Sequence, residues 1–191
     1  MRTWTRPALL AITAIVVAHL GDSWAFVHLV KPDVYQHDAG RMLRTVGYLP
    51  LWILLAIAFW LQSRDRKGAL LLGLVPALSG LLCDALKIVL RRERPGLHHG
   101  AYFFRPFGDH LWETTDIGSP SSHAMVAFAG AWWLCRCYPR AWPVWIALAA
   151  GCGLTRIEAQ AHFLSDVVAA AVAAYFIVAL MWRTWGAPSA A

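Results

Sequence analysis

The sequence predicts an all-α fold: a polytopic membrane protein with six transmembrane helices. Two features of composition and one of layout carry that prediction. Of 191 residues, 59% are hydrophobic and only 15% are charged, against roughly 25% charged in an ordinary soluble domain. The mean hydropathy is +0.50, too apolar for a soluble helical bundle of this length. The apolar residues fall into six runs, 7–30, 46–62, 68–90, 121–138, 142–157 and 163–185. Each is close to the roughly 17–25 residues that cross a hydrocarbon core, the fifth being the shortest. The length suits a single domain, 1–191.

The first run follows Arg2 and Arg6, as a secretory leader would. Apolar character resumes at Trp24 to Val30 with no cleavage site between, so an uncleaved first helix is expected. Within it His19 and Asp22 share one helical face, which is expected to turn toward protein or the interface. Residues 31–45 form a polar connection with room for a short interfacial helix. Ser63 to Lys67 is a tight basic turn before the third run. That run ends near Lys87, with Arg91, Arg92 and Arg94 just beyond it. In the plain structural reading Lys87 snorkels to the interface, the arginines anchor headgroups, and Asp84, one turn earlier, is placed to pair with Lys87.

Residues 91–120 form one long loop rich in Arg, His, Pro, Gly and aromatics. The fourth run opens with Gly118-Ser119-Pro120-Ser121-Ser122-His123. Ser119 is the expected N-cap and Pro120 the expected first helical residue, leaving the N–H groups of Ser121, Ser122 and His123 free for an anion. Arg136 to Pro143 is a short turn. The fifth run closes on Thr155-Arg156, with Glu158 expected in the loop beyond. The sixth opens with His162 and Asp166, whose i,i+4 spacing puts them on one helical face. The tail after Arg183 is expected to be disordered. The four cysteines, Cys83, Cys135, Cys137 and Cys152, lie in or beside apolar runs and lack zinc-site spacing, so they read as packing residues.

If successive runs alternate in direction, the ends of odd runs and the starts of even runs share a face. Lys87, Arg94, Ser121, His123, Arg156, His162 and Asp166 then converge. Asp166 is placed to accept a hydrogen bond from one ring nitrogen of His162, leaving the other free as a nucleophile. Two histidines and an aspartate also invite a metal reading, but charge opposes it. Like charges 4 Å apart repel by about 4 kcal/mol at an effective dielectric of 20. Lys87, Arg94 and Arg156 would each oppose a divalent cation and favour a phosphate. No metal and no cofactor is therefore expected.

The net charge of +6 is spread along loops and membrane edges with no long basic run. Anionic lipid is the expected partner rather than nucleic acid. With the site's own cations (Lys87, Arg94, Arg156) and those of its loop (Arg91, Arg92, Arg105) set aside, most remaining Lys and Arg fall on the side of the termini. The positive-inside rule then places both termini in the cytoplasm, and the site outside, at the extracytoplasmic ends of helices 3–6.

Lys87, Arg94 and Pro95 resemble the first motif of the type-2 phosphatidic acid phosphatase superfamily, Lys, six residues, Arg-Pro. That superfamily includes lipid phosphate phosphatases and, in the same fold, vanadium haloperoxidases. Pro120-Ser121-Ser122-His123 resembles its second motif, Pro-Ser-Gly-His, with Ser122 for glycine. Thr155-Arg156, His162 and Asp166 resemble the third, with Thr155 for serine. The resemblance implies metal-independent dephosphorylation of a membrane lipid phosphate or diphosphate. Phosphatidate, phosphatidylglycerophosphate, polyprenyl diphosphate and the lipid A 1-phosphate are the candidates. It implies that His162 is the nucleophile, forming a phosphohistidine, with Asp166 orienting it and His123 protonating the leaving oxygen. Lys87, Arg94, Ser121, Ser122 and Arg156 would bind the phosphate, with Arg92 an accessory. Alternatives are a lipid phosphotransferase of the same fold and a non-catalytic protein that binds or translocates lipid.

Overall fold

A computed structural model describes residues 4–62 and 64–185. Arg2, Ser63 and the tail from 186, which carry three of the expectations above, lie outside the described residues. The chain forms α1 (Thr5–Leu20), α2 (Asp22–His28), α3 (Asp38–Thr45), α4 (Leu49–Gln62), α5 (Arg66–Leu90), α6 (Ser122–Cys137), α7 (Trp142–Glu158) and α8 (Leu164–Trp185). Short 3-10 turns at Val34–Gln36, Pro95–His98 and Pro139–Ala141 join them. Among the described residues the only β pairing is two isolated bridges, Arg92 with Phe104 and Glu93 with Ile117.

The organising element is α6. It packs against α5, α7 and α8 at once, and every residue from Ala124 to Ala131 is buried. Its sequence there, Ala-Met-Val-Ala-Phe-Ala-Gly-Ala, explains why. In a lipid-facing protein, close packing rather than water exclusion holds helices together, and small residues let backbones approach. At Gly130 a Cβ would sit 2.2 Å from the Trp52 ring of α4. That ring is itself anchored by an Nε1–H donating to the Val46 carbonyl at 2.8 Å.

Two helices, α5 and α8, are each long and apolar enough to cross a membrane alone. The count reaches four if each bent pair is one span: α1 with α2, bent by 50°, and α3 with α4, bent by 64°. The single run expected at 7–30 is thus two helices broken at Gly21, where Asp22 is wholly buried. A hydropathy window cannot register such a break, because both halves are apolar. Likewise α3, the short helix expected in the polar connection, leads into α4 at an angle. The outer faces carry apolar side chains in the open: Leu10 is 72%, Leu20 79% and Leu61 80% exposed. A surface of that kind needs lipid around it.

The loop after α5 is folded from within by Arg91, a buried residue rather than a headgroup anchor. Arg91 ends α5 in the left-handed region, φ 54°. Its guanidinium donates to the carbonyls of Arg105 (2.9 Å), Pro106 (2.8 Å), Leu111 (3.3 Å) and Asp109. Beside it Glu93 takes hydrogen bonds from His98 and Arg105, each at 2.7 Å. Burial would raise the Glu93 carboxyl, but those two donors outweigh it and hold it below the usual range.

All four cysteines are free, as packing residues should be. Asp84 is exposed and makes no ion pair with Lys87. Glu158 is the last residue of α7, not part of a loop, and pairs with Lys31 at 2.8 Å.

Gly130→Ala is expected to force the Trp52 ring aside at a cost of about 1–3 kcal/mol. Thermal unfolding of purified protein in detergent should show a lowered midpoint; an unchanged midpoint would contradict this packing.

Candidate active site

Four helix ends meet at one end of the bundle: the C-termini of α5 and α7 and the N-termini of α6 and α8. The Ser121 N–H donates to the Asp166 carbonyl at 3.3 Å, which ties α6 to α8 directly. This corrects the expected cap. Ser121, not Ser119, is the N-cap of α6, its hydroxyl accepting from the Ala124 N–H at 3.4 Å. Pro120 lies ahead of the helix, joined to Ser119 by a cis peptide. The Ser121 N–H is therefore spent, and the free first-turn donors are those of Ser122 and His123.

His162 sits in the turn between α7 and α8, after Gln160 in the left-handed region at φ 53°. Its Nδ1 lies 2.6 Å from the Gly118 carbonyl oxygen. A carbonyl only accepts, so Nδ1 carries the hydrogen and Nε2 keeps its lone pair. Burial, then the charges of Arg156, Lys87 and Arg94, hold the ring well below its ordinary 6.5, despite the Gly118 bond. The imidazole is neutral at pH 7, with its lone pair on Nε2.

The partner of His162 differs from the expected one. Asp166 does not orient the ring. Its Oδ2 accepts from the Phe163 N–H at 2.8 Å, the backward half of a capping box at the start of α8. Its Oδ1 takes Arg92 Nη2. The i,i+4 spacing matched both arrangements; the tight turn at 160–163 decides between them by aiming the ring at residue 118.

Arg156 Nη1 donates to the Tyr35 hydroxyl at 2.7 Å, and that hydroxyl donates to the Thr155 carbonyl at 3.0 Å. Lys87 and Arg156 are both buried. Neither they nor Arg94 has a carboxylate within ion-pairing distance among the described residues. The charges of these three cations bear on both His162 and His123, so one cluster faces both rings. Arg94 Nε, Arg156 Nε and His123 Nε2 are buried without a hydrogen-bond partner. Orphaned donors of this kind normally find a ligand. Cations with no carboxylate in ion-pairing contact, orphaned side-chain nitrogens and a neutral histidine make a cluster suited to an oxyanion. The described residues include no group of three or more His, Cys, Asp or Glu suited to a metal.

A second, buried polar network stands behind the first. Arg92 Nη2 donates to Ser165 Oγ at 2.9 Å as well as to Asp166, and Arg92 Nη1 lies 3.9 Å from Asp22. Asp22 accepts the Ser165 N–H at 2.7 Å and the Tyr102 hydroxyl at 2.9 Å. Burial, then Asp22, push the Tyr102 hydroxyl up to about 12, so it stays a donor. Arg92 is thus an internal strut rather than a phosphate ligand. Tyr35, Gly118, Ser165 and Tyr102 carried no sequence signal. Asp22 did, as a carboxylate inside an apolar run.

Residues 68–188 match the PAP2 superfamily, a stretch that contains every motif residue from Lys87 to Asp166. Over 95 residues, 48% of this chain, the sequence is 38% identical to a lipid A 1-phosphatase of Rhizobium johnstonii. A lipid A 1-phosphatase of Rhizobium etli is likewise 38% identical over 95 residues. The chain covers 37% and 39% of the lengths of these two relatives. The crystal structure of a transmembrane PAP2 type phosphatidylglycerolphosphate phosphatase from Bacillus subtilis superposes with a TM-score of 0.66 at 20% identity, covering 96% of both chains. At that identity the likeness is one of fold. With its apolar outer surface, the chain is an integral membrane protein.

The His162 ring should keep its neutral, Nδ1-protonated form well below pH 6.5. Because its folded value lies below the ordinary one, its contribution to stability is full above about pH 6.5 and is lost as pH falls below that. Histidine NMR, assigned by His162→Ala, checks this; titration at or above 6.5 would contradict the burial argument.

Proposed function

From membership of the PAP2 superfamily, to which this chain belongs, we propose that it removes phosphate from a membrane lipid phosphate or diphosphate without a metal. The observation that carries this reading is the Gly118–His162 hydrogen bond, which leaves the Nε2 lone pair of a neutral ring free under the charges of Arg156, Lys87 and Arg94. Nε2 attacks phosphorus, the bond to the lipid oxygen breaks, and His123 gives that oxygen a proton. Water then attacks the phosphohistidine, losing its proton to His123, and inorganic phosphate leaves. Lys87, Arg94 and Arg156, with the Ser122 and His123 N–H groups, hold the phosphoryl oxygens as charge builds on them. Ser121 acts through the helix cap, and Asp166 and Arg92 hold the turn that carries His162.

The whole chain, 1–191, is read as one such domain, its six runs crossing an inner membrane and both termini in the cytoplasm. Positive charge on the terminal side supports that orientation. The site then meets lipid headgroups on the outer leaflet, where the relatives' named substrates, lipid A 1-phosphate and phosphatidylglycerolphosphate, are reasonable members of the panel to try.

Purified protein in detergent should release phosphate from at least one lipid of that panel, equally well in excess chelator. His162→Ala should lower the rate by about 10³-fold or more. Release abolished by chelator, or unaffected by His162→Ala, would contradict the mechanism.

A further inference from the structure

Arg44 is a fourth cation at the same end of the bundle, contributed by α3, outside all three motif segments. Its guanidinium carbon lies 4.5 Å from the centre of the Tyr35 ring and 5.5 Å from that of Tyr48. Its Nε is buried without a hydrogen-bond partner. The neighbouring acids are used elsewhere, Asp38 by Arg41, Asp33 by His37 and Glu158, at the end of α7, by Lys31. Arg44 has no carboxylate partner among the described residues. Two aromatic shelves thus hold a guanidinium in place with nothing to neutralise it.

Its position relative to the two histidines is specific. The Cys152 thiol lies 3.9 Å from the Arg44 carbonyl oxygen and 3.9 Å from that of His123, so the end of α3 and the start of α6 flank one atom. The Tyr48 ring, against which Arg44 rests, meets the His123 ring edge-on at 4.9 Å. A Cβ on Gly47 would stand 2.7 Å from that of His123, so only glycine allows this approach. The charge of Arg44 bears on His123, together with those of Arg156, Lys87 and Arg94. Arg44 therefore stands on the side of the proton donor, where the leaving group sits.

We infer that Arg44, clasped by Tyr35 and Tyr48, forms a second anion subsite beside His123 that selects substrates with a phosphoryl leaving group, lipid diphosphates over monophosphates. This rests on the proposed phosphatase reading and deepens it. When Nε2 of His162 bonds to the terminal phosphorus, the electron pair of the breaking P–O bond passes to the bridging oxygen. In a monophosphate ester that oxygen is attached to carbon and, once protonated by His123, is neutral. In a diphosphate it belongs to a second phosphoryl group, whose charge Arg44 is placed to hold. Lipid monophosphate leaves, and water releases inorganic phosphate from the histidine.

The test compares farnesyl diphosphate with farnesyl monophosphate for wild type, Arg44→Gln and Arg44→Lys, all full length in detergent. A lost charge-assisted contact corresponds to about 10- to 100-fold. Arg44→Gln should lower kcat/KM by that factor on the diphosphate and by less than about threefold on the monophosphate, with Arg44→Lys recovering part of the loss. Equal losses on both substrates, or no loss on either, would overturn the inference. Binding without turnover is read separately from the shift in melting midpoint with inorganic pyrophosphate and with inorganic phosphate. Wild type should be shifted more by pyrophosphate, and Arg44→Gln should lose that excess while keeping the phosphate shift. An excess that survives in Arg44→Gln, or is absent from wild type, refutes the subsite. Absence of turnover by wild type on any lipid refutes the phosphatase reading instead.

Discussion

Positive charges crowded into a buried pocket repel one another, and most of the architecture at one end of this bundle serves to hold them there. Lys87, Arg94 and Arg156 come from the end of α5, the following loop and the end of α7, and no carboxylate among the described residues pairs with any of them. At an effective dielectric of 20, two such charges 4 Å apart oppose each other by about 4 kcal/mol. Such a cluster favours an anion, whose charge offsets the repulsion. Burial first, and then the same positive charges, keep His162 neutral.

The acids of the region are spent on rigidity. Asp166 and Asp22 flank Arg92 from α8 and from the break between α1 and α2, and Ser165 bonds to both Asp22 and Arg92. This network fixes the start of α8, and with it the turn bearing His162. The Ser121 N–H on the Asp166 carbonyl brings the start of α6 into the same unit. Residues buried this deeply in an apolar protein are costly unless fully partnered. The donors from Ser165 and Tyr102, with Arg92 nearby, explain how a carboxylate such as Asp22 is tolerated between two apolar helices. Precision at the nucleophile comes from a carbonyl, Gly118, whose position depends on the long loop that Arg91 folds from inside.

Much of this was legible in the residues. The runs 68–90, 121–138, 142–157 and 163–185 correspond closely to α5 (Arg66–Leu90), α6 (Ser122–Cys137), α7 (Trp142–Glu158) and α8 (Leu164–Trp185), because polar and turn residues interrupt the apolar pattern where these helices end. Antiparallel neighbours then bring Lys87, Arg94, His123, Arg156 and His162 to one end. What was illegible concerns direction and backbone. Spacing put Asp166 on the face of His162 but could not say that a left-handed residue at 160 turns the ring toward residue 118. The cap of α6 moved from Ser119 to Ser121 because Pro120 lies outside the helix. Hydropathy merged α1 with α2 because Gly21 interrupts the helix without interrupting its apolarity. Arg44 and Tyr35 lie in the polar stretch before α4, outside all three motifs, and the packing of α3 on α7 with the Tyr35–Thr155 hydrogen bond brings them to the end of α7.

Orthovanadate, which adopts the five-coordinate geometry of a phosphoryl group in transfer, probes the site most directly. In a structure of the vanadate complex, vanadium should be bonded to His162 Nε2, with Lys87, Arg94 and Arg156 on its equatorial oxygens and His123 facing the apical oxygen. Vanadate bound through another atom, or away from these cations, would contradict the account.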